Sequence, residues 1–232
     1  MDAQAIAARA AAFADAASGA QAVGGAWLSK TLQGLAPDVS ATKLRIALAR
    51  AGRELGDGPV DVTAVVDPPA LAAVWRACDA GRAALVLHAA TVLPPEAWLR
   101  FVTDAVRRGE LSEQVSLLRM LAWLPEPARL TEVAIDACRT NSEPVFAAIA
   151  CENPFVAAHF PDGAFDQVVI KAIFLGVSIE RIVGLADRVS DETARIATDF
   201  ADERRAAGRV VPADVDLVLQ LASAKASGSK NP

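Results

Sequence analysis

Lys171 is the residue best placed to do chemistry in this chain, because its sequence neighbours are almost all apolar. It lies in Phe165-Asp-Gln-Val-Val-Ile-Lys-Ala-Ile-Phe-Leu-Gly-Val. On a helical wheel Phe165, Val168, Val169, Ala172 and Ile173 form one apolar face, and Ile170 and Phe174 a second one nearly opposite. A helix apolar on both sides is expected to be packed on both sides. Gln167 and Lys171, four apart, then stack on the narrow strip between the faces. An ammonium there must snorkel to water, meet an acid or bind an anion, because unpaired burial disfavours the charged form.

Partners are near in the chain. Glu152 precedes Asn153-Pro154, whose proline favours an extended residue before it and turns the chain. His159-Phe-Pro follows in the same loop, and Arg181 lies one short helix beyond Lys171. If the 152–161 loop folds over the inner helix, Glu152, Asn153, His159, Gln167, Lys171 and Arg181 converge into a surface for a ligand or a partner protein. The plainer arrangement is a Glu152–Lys171 or Glu152–Arg181 ion pair pinning the loop, with His159 bonded to a carbonyl. The enzymatic alternative uses Lys171 and Arg181 as clamps on a phosphorylated or prenylated intermediate, with His159 as acid or base.

Other chemistries are poorly served. Cys151 and His159 have the types of a nucleophile and base, but both sit at ordinary packing positions, where a buried thiol is inert. With His88 and His159 the two histidines, and neither His-Glu-x-x-His nor paired Cys, no metal site and no cofactor are expected. His88 reads as a satisfied core residue of an apolar helix. Gly19 and Gly25 have phosphate-loop spacing, yet Ala follows Gly25 and no strand precedes it, so a helix hairpin is expected. No serine elbow or paired-carboxylate motif assigns a catalytic residue. Trp75, Trp98 and Trp123, on successive helices, read as inter-helix packing.

These residues must be held by helices. The 232 residues are 53% hydrophobic and 22% charged, with 5% aromatics and no Tyr, and Ala supplies much of the apolar content. An all-α fold is expected: short antiparallel helix pairs, either a curved HEAT-like stack or an irregular bundle. Expected helices cover 2–17, a stretch opened by Asp38-Val-Ser40 with Ser40 as N-cap, 71–79, 82–93, 96–108, 111–124, 128–139, 143–151, 165–175, 179–185, 191–207 and 212–222. Residues 61–69 are expected to be loop or short helix, because an isolated strand has nothing to pair with. Residues 1–222 are expected as one domain, with 1–60 a candidate subdomain and 223–232 a flexible tail. The net charge of −5 argues against a general nucleic-acid binder. Three irregularly spaced cysteines suit reduced thiols in the cytoplasm. No targeting or membrane-spanning segment is expected, since an acid follows Met1 and the longest uncharged apolar run, 83–95, is short and carries Pro.

The combination Glu152-Asn-Pro-Phe, His159-Phe-Pro, the Phe165–Val177 run, Arg181-Ile-Val-Gly-Leu and Glu203-Arg-Arg-Ala-Ala-Gly-Arg resembles the EboA family. Gly109-Glu-Leu-Ser-Glu-Gln-Val-Ser-Leu-Leu-Arg fits it too. The resemblance implies a role in moving a secondary-metabolite precursor out of the cytoplasm, beside a UbiA-type membrane prenyltransferase and other proteins of one gene cluster. It implies no catalytic residues. The expected partners are a small anionic or prenylated metabolite or a protein of that cluster, with the chain in the cytoplasm or docked through a partner at the inner membrane face.

Overall fold

Small residues let helices approach closely, and the most Ala-rich stretches of this chain supply its closest contacts. The computed structural model describes residues 1–35 and 40–228, and among them every regular element is helical, with one isolated bridge between Pro59 and Arg76. The chain forms two compact units, Met1–Ala137 and Cys138–Pro232. The all-α expectation holds.

The first unit contains α1 (Ala3–Ala20), α2 (Ala22–Leu35), α3 (Ala41–Leu55), α4 (Ala77–Val92), α5 (Pro95–Arg108), α6 (Leu111–Met120) and most of α7 (Thr131–Cys138). Residues 1–60 belong to it, and α1, α2, α3, α5 and α6 all pack on α4. That central helix is buried on every side from Ala77 to Leu87. Gly81 shows why: a Cβ there would lie 2.0 Å from Leu55 Cδ1 and 3.8 Å from the Cβ of Ala17. The break expected between residues 79 and 82 is therefore corrected. Pro69–Val74 is a 3-10 turn, Trp75 and Arg76 are extended, and one helix runs unbroken through Gly81. Here glycine serves close packing, not a turn.

Ser40 caps α3 as expected, its Oγ accepting from Lys43 N at 3.2 Å; the preceding Asp38-Val39 lies outside the described residues. Trp75 stacks on Phe13 at 4.9 Å and takes Trp123 edge-on at 5.5 Å, while Trp98 Nε1 donates to Val86 O at 2.9 Å. The tryptophans are packing residues. His88 differs from its expected satisfied state: it is half-buried, its Nε2 has no hydrogen-bond partner among the described residues, and burial lowers its pKa.

Charge is also buried against α4. Arg82, 1% exposed, donates Nε to Leu48 O at 3.0 Å and Nη1 to Ser112 O and Ser116 Oγ at 2.9 and 2.7 Å. Ser116 Oγ donates a hydrogen bond to Asp79 Oδ1 at 2.5 Å, and Arg119 pairs with Asp79 Oδ2. Asp79 also accepts from Arg76 N at 3.0 Å, capping the helix that carries it. The network ties α3, α4 and α6 together.

The second unit contains α8 (Glu143–Ala150), α9 (Phe155–His159), α10 (Asp162–Leu175), α11 (Leu185–Arg188), α12 (Asp191–Ala206) and α13 (Asp214–Gly228). The loop expected from 152 to 161 contains α9. The helix expected from Ile179 to Leu185 is corrected to a 3-10 turn, Ile179–Arg181, then α11, because Gly184 at φ +75° turns the chain where a Cβ would meet Ala157 at 2.8 Å. Ser190 caps α12, and Gly176 at φ 73° ends α10. Lys225 donates to Asp187 O and Val189 O at 2.7 and 3.1 Å, holding α13 against the end of α11. The last helix continues past Ala222 to Gly228; the rest of the expected tail, 229–232, lies outside the described residues.

Removing Asp79 takes away the buried carboxylate that Arg119 and Ser116 share. Asp79→Ala should lower the unfolding free energy in urea by about 3–5 kcal/mol. A loss below about 1 kcal/mol would show that the network contributes little beyond a surface ion pair.

Candidate functional site

The long helix α10 has one face packed and one face open. Phe165, Val168, Val169, Ala172 and Ile173 are buried, as the wheel requires. The second face departs from expectation: Ile170 is half-buried and Phe174 is 71% exposed. With Ile196 and Phe200 of α12, these side chains wall a groove of about 390 Å³, completed by Asn141, Gln167 and Lys171. Its lining is apolar except for two amides and one ammonium.

Lys171 is half-buried, and its Nζ lies 5.9 Å from the centroid of the fully buried Phe146 ring. The π face holds the ammonium by its quadrupole. Among the described residues no carboxylate forms an ion pair with it. The Cys138 thiol is pushed up to about 12 by burial, partly offset by the charge of Lys171.

The six residues singled out in the sequence fall into two groups. Gln167 and Lys171 line the groove; Glu152, Asn153, His159 and Arg181 do not. Glu152 takes both Arg181 Nε and Nη2, at 2.8 and 2.9 Å, and its own N–H donates to Arg181 O at 2.9 Å. That bidentate bond raises the Arg181 pKa. Of the two pairings weighed for Glu152, the one with Arg181 forms. Asn153, almost wholly buried, donates Nδ2 to Ala148 O and accepts from Phe155 N, both at 3.0 Å, so one side chain closes α8 and opens α9. His159 lies tilted against Phe155, with ring centroids 4.8 Å apart, and burial lowers its pKa. Cys151 is buried, with its thiol pushed up to about 11 by desolvation, which suits an inert group.

Two residues that position the groove escaped the sequence reading. Asp166, 4% exposed, accepts from Ser190 Oγ at 3.1 Å and from Thr193 Oγ1, the two side chains of the α12 capping box. Arg188 donates to Ala157 O at 2.8 Å and Asp162 Oδ1 at 2.7 Å, with its guanidinium 4.6 Å from the Phe165 ring centroid. Asp166 had a legible signal: it stands three and seven residues before Val169 and Ile173, an acid on a packed face.

Glu152 holds φ 46°, a left-handed conformation that favours glycine. Glu152→Ala should therefore be less stable than Glu152→Gly by about 1 kcal/mol, since both lose the ion pair and only glycine relieves the backbone. Equal urea midpoints would show that the backbone there is unstrained. For His159, the lowered folded pKa makes the neutral ring stabilising above the unfolded value of about 6.5, and this is lost as pH falls through the folded pKa. His159→Phe should lose less unfolding free energy than the parent from about pH 7.5 to about pH 5. Parallel curves would overturn that assignment.

A family model described as metabolite traffic protein EboA matches residues 20–220. Comparison with curated proteins finds no match, and comparison with solved structures finds none either. The matched stretch takes in both groove helices, the Glu152–Arg181 pair and the central helix of the first unit. The chain belongs to the EboA family, whose name assigns it to metabolite traffic.

Proposed function

We propose that this chain is a non-enzymatic helical binding protein of metabolite traffic, which takes a metabolite or a partner protein through the region from Glu152 to Arg181. The observation that carries the reading is the uncovered second stripe of α10, where Phe174 stands 71% exposed beside Ile170, Ile196 and Phe200. A groove of about 390 Å³ is within the size range of small-molecule sites. Gln167 and Lys171 are its contact residues. Glu152, Asn153, His159 and Arg181 hold the preceding segment in shape.

Among the described residues no helix is long and apolar enough to cross a membrane. In this reading the protein works in the cytoplasm on export of a precursor, and reaches the inner membrane face through a partner such as a UbiA-type prenyltransferase.

The test is binding of the neutral apolar dye N-phenyl-1-naphthylamine to the folded full chain, followed by its fluorescence. Phe174→Gln, a change at an exposed position, should weaken binding about tenfold, while Glu96→Ala, on the surface of the first unit, should leave it unchanged. No enhancement with the parent chain, or equal enhancement with Phe174→Gln, would remove the groove as the binding site.

A further inference from the structure

An apolar groove has no preference for the sign of its occupant's charge unless something on its wall supplies one. Among the described residues the lining contains a single charged side chain, Lys171. Of the acids on α12, Glu192 and Asp199 both pair with Arg195, at 2.6 and 2.7 Å, and Asp202 pairs with Arg205 at 2.7 Å, while Glu203 is not part of the lining. The ammonium is positioned, since Phe146 beneath it is fully buried and packed in place. Asn141 and Gln167 stand on the same lining, and among the described residues neither side-chain amide is hydrogen-bonded within the chain.

We infer that the groove binds an amphiphile with one anionic head group, a carboxylate, sulfate or phosphate ester, whose oxygens meet Lys171 Nζ and the amides of Asn141 and Gln167. Its apolar body lies along Ile170, Phe174, Ile196 and Phe200. This rests on the binding reading above and adds the chemical class of the ligand. Charge complementarity selects the head group: an anion adds a charge-assisted hydrogen bond to a half-buried ammonium, and a cation meets it with like-charge repulsion in a partly desolvated site. The size of the groove selects a small molecule over a helix, which would need a longer uncovered stripe.

The experiment displaces the neutral dye from the full chain with three amphiphiles of equal chain length: decanoate, decanol and decyltrimethylammonium. Decanoate should displace it at about one-tenth the concentration that decanol needs, with the ammonium compound weakest. Lys171→Met should abolish the preference for decanoate over decanol, and Lys171→Arg should retain it. Equal displacement by decanoate and decanol in the parent would overturn the inference, as would a preference that survives Lys171→Met. Dye binding that none of the three displaces would also overturn it, pointing to a protein segment as the occupant. Failure of the dye to bind at all would sink the groove itself, and with it the reading on which this inference rests.

Discussion

The open groove depends on a buried carboxylate that fixes how its two walls meet. Asp166 on α10 accepts hydrogen bonds from Ser190 and Thr193, the residues that cap α12. A carboxylate at a helix N-terminus is favoured by the unpaired N–H groups and the dipole there, so the contact stabilises α12 while setting its distance from α10. Arg188 of α11 makes a second clamp at the same N-terminal end of α10, bonded to the carbonyl of Ala157 and to Asp162 with its guanidinium over the Phe165 ring. With both helices held near their termini, the stripe of Ile170 and Phe174 can stay uncovered without the helix turning to bury it.

The first unit solves a different problem with similar means. Its central helix α4 is buried on all sides, so any charge on it must be satisfied internally. Arg82 spends its donors on two backbone carbonyls and two serine hydroxyls, and its nearest acid, Asp79, is reached through Ser116. Asp79 in turn meets Arg119. Every polar group in this chain of contacts has a partner, which accounts for a charged cluster persisting in the interior. A cluster whose members bond to one another serves packing rather than recognition.

The polar residues of the second unit divide along the same line. Glu152, Asn153 and Arg181 use their hydrogen-bonding capacity on one another and on the backbone, so they shape the approach to α10. Lys171 and Gln167 do not. A side chain that is positioned but unsatisfied is the one able to recognise something from outside the chain. That contrast, more than proximity, separates a scaffold residue from a contact residue here.

The sequence by itself determined that the chain is helical, where many helices begin and end, and which apolar side chains of α10 share a face. These follow from local rules: Ala content, caps such as Ser40 and Ser190, C-terminal Gly176, and the spacing of Phe165, Val168, Val169, Ala172 and Ile173. It also marked Lys171 as the odd group on an apolar helix and offered Glu152 two basic partners, Lys171 and Arg181. Tertiary structure alone decided that Gly81 lies inside a helix, because the reason is Leu55, distant in the chain. It likewise decided that Glu152 answers Arg181 rather than Lys171, and that the Ile170–Phe174 stripe faces a groove instead of a neighbour. Periodicity tells which side chains share a face, but whether a face is covered depends on where other helices lie, and that is set by contacts between residues far apart in the sequence.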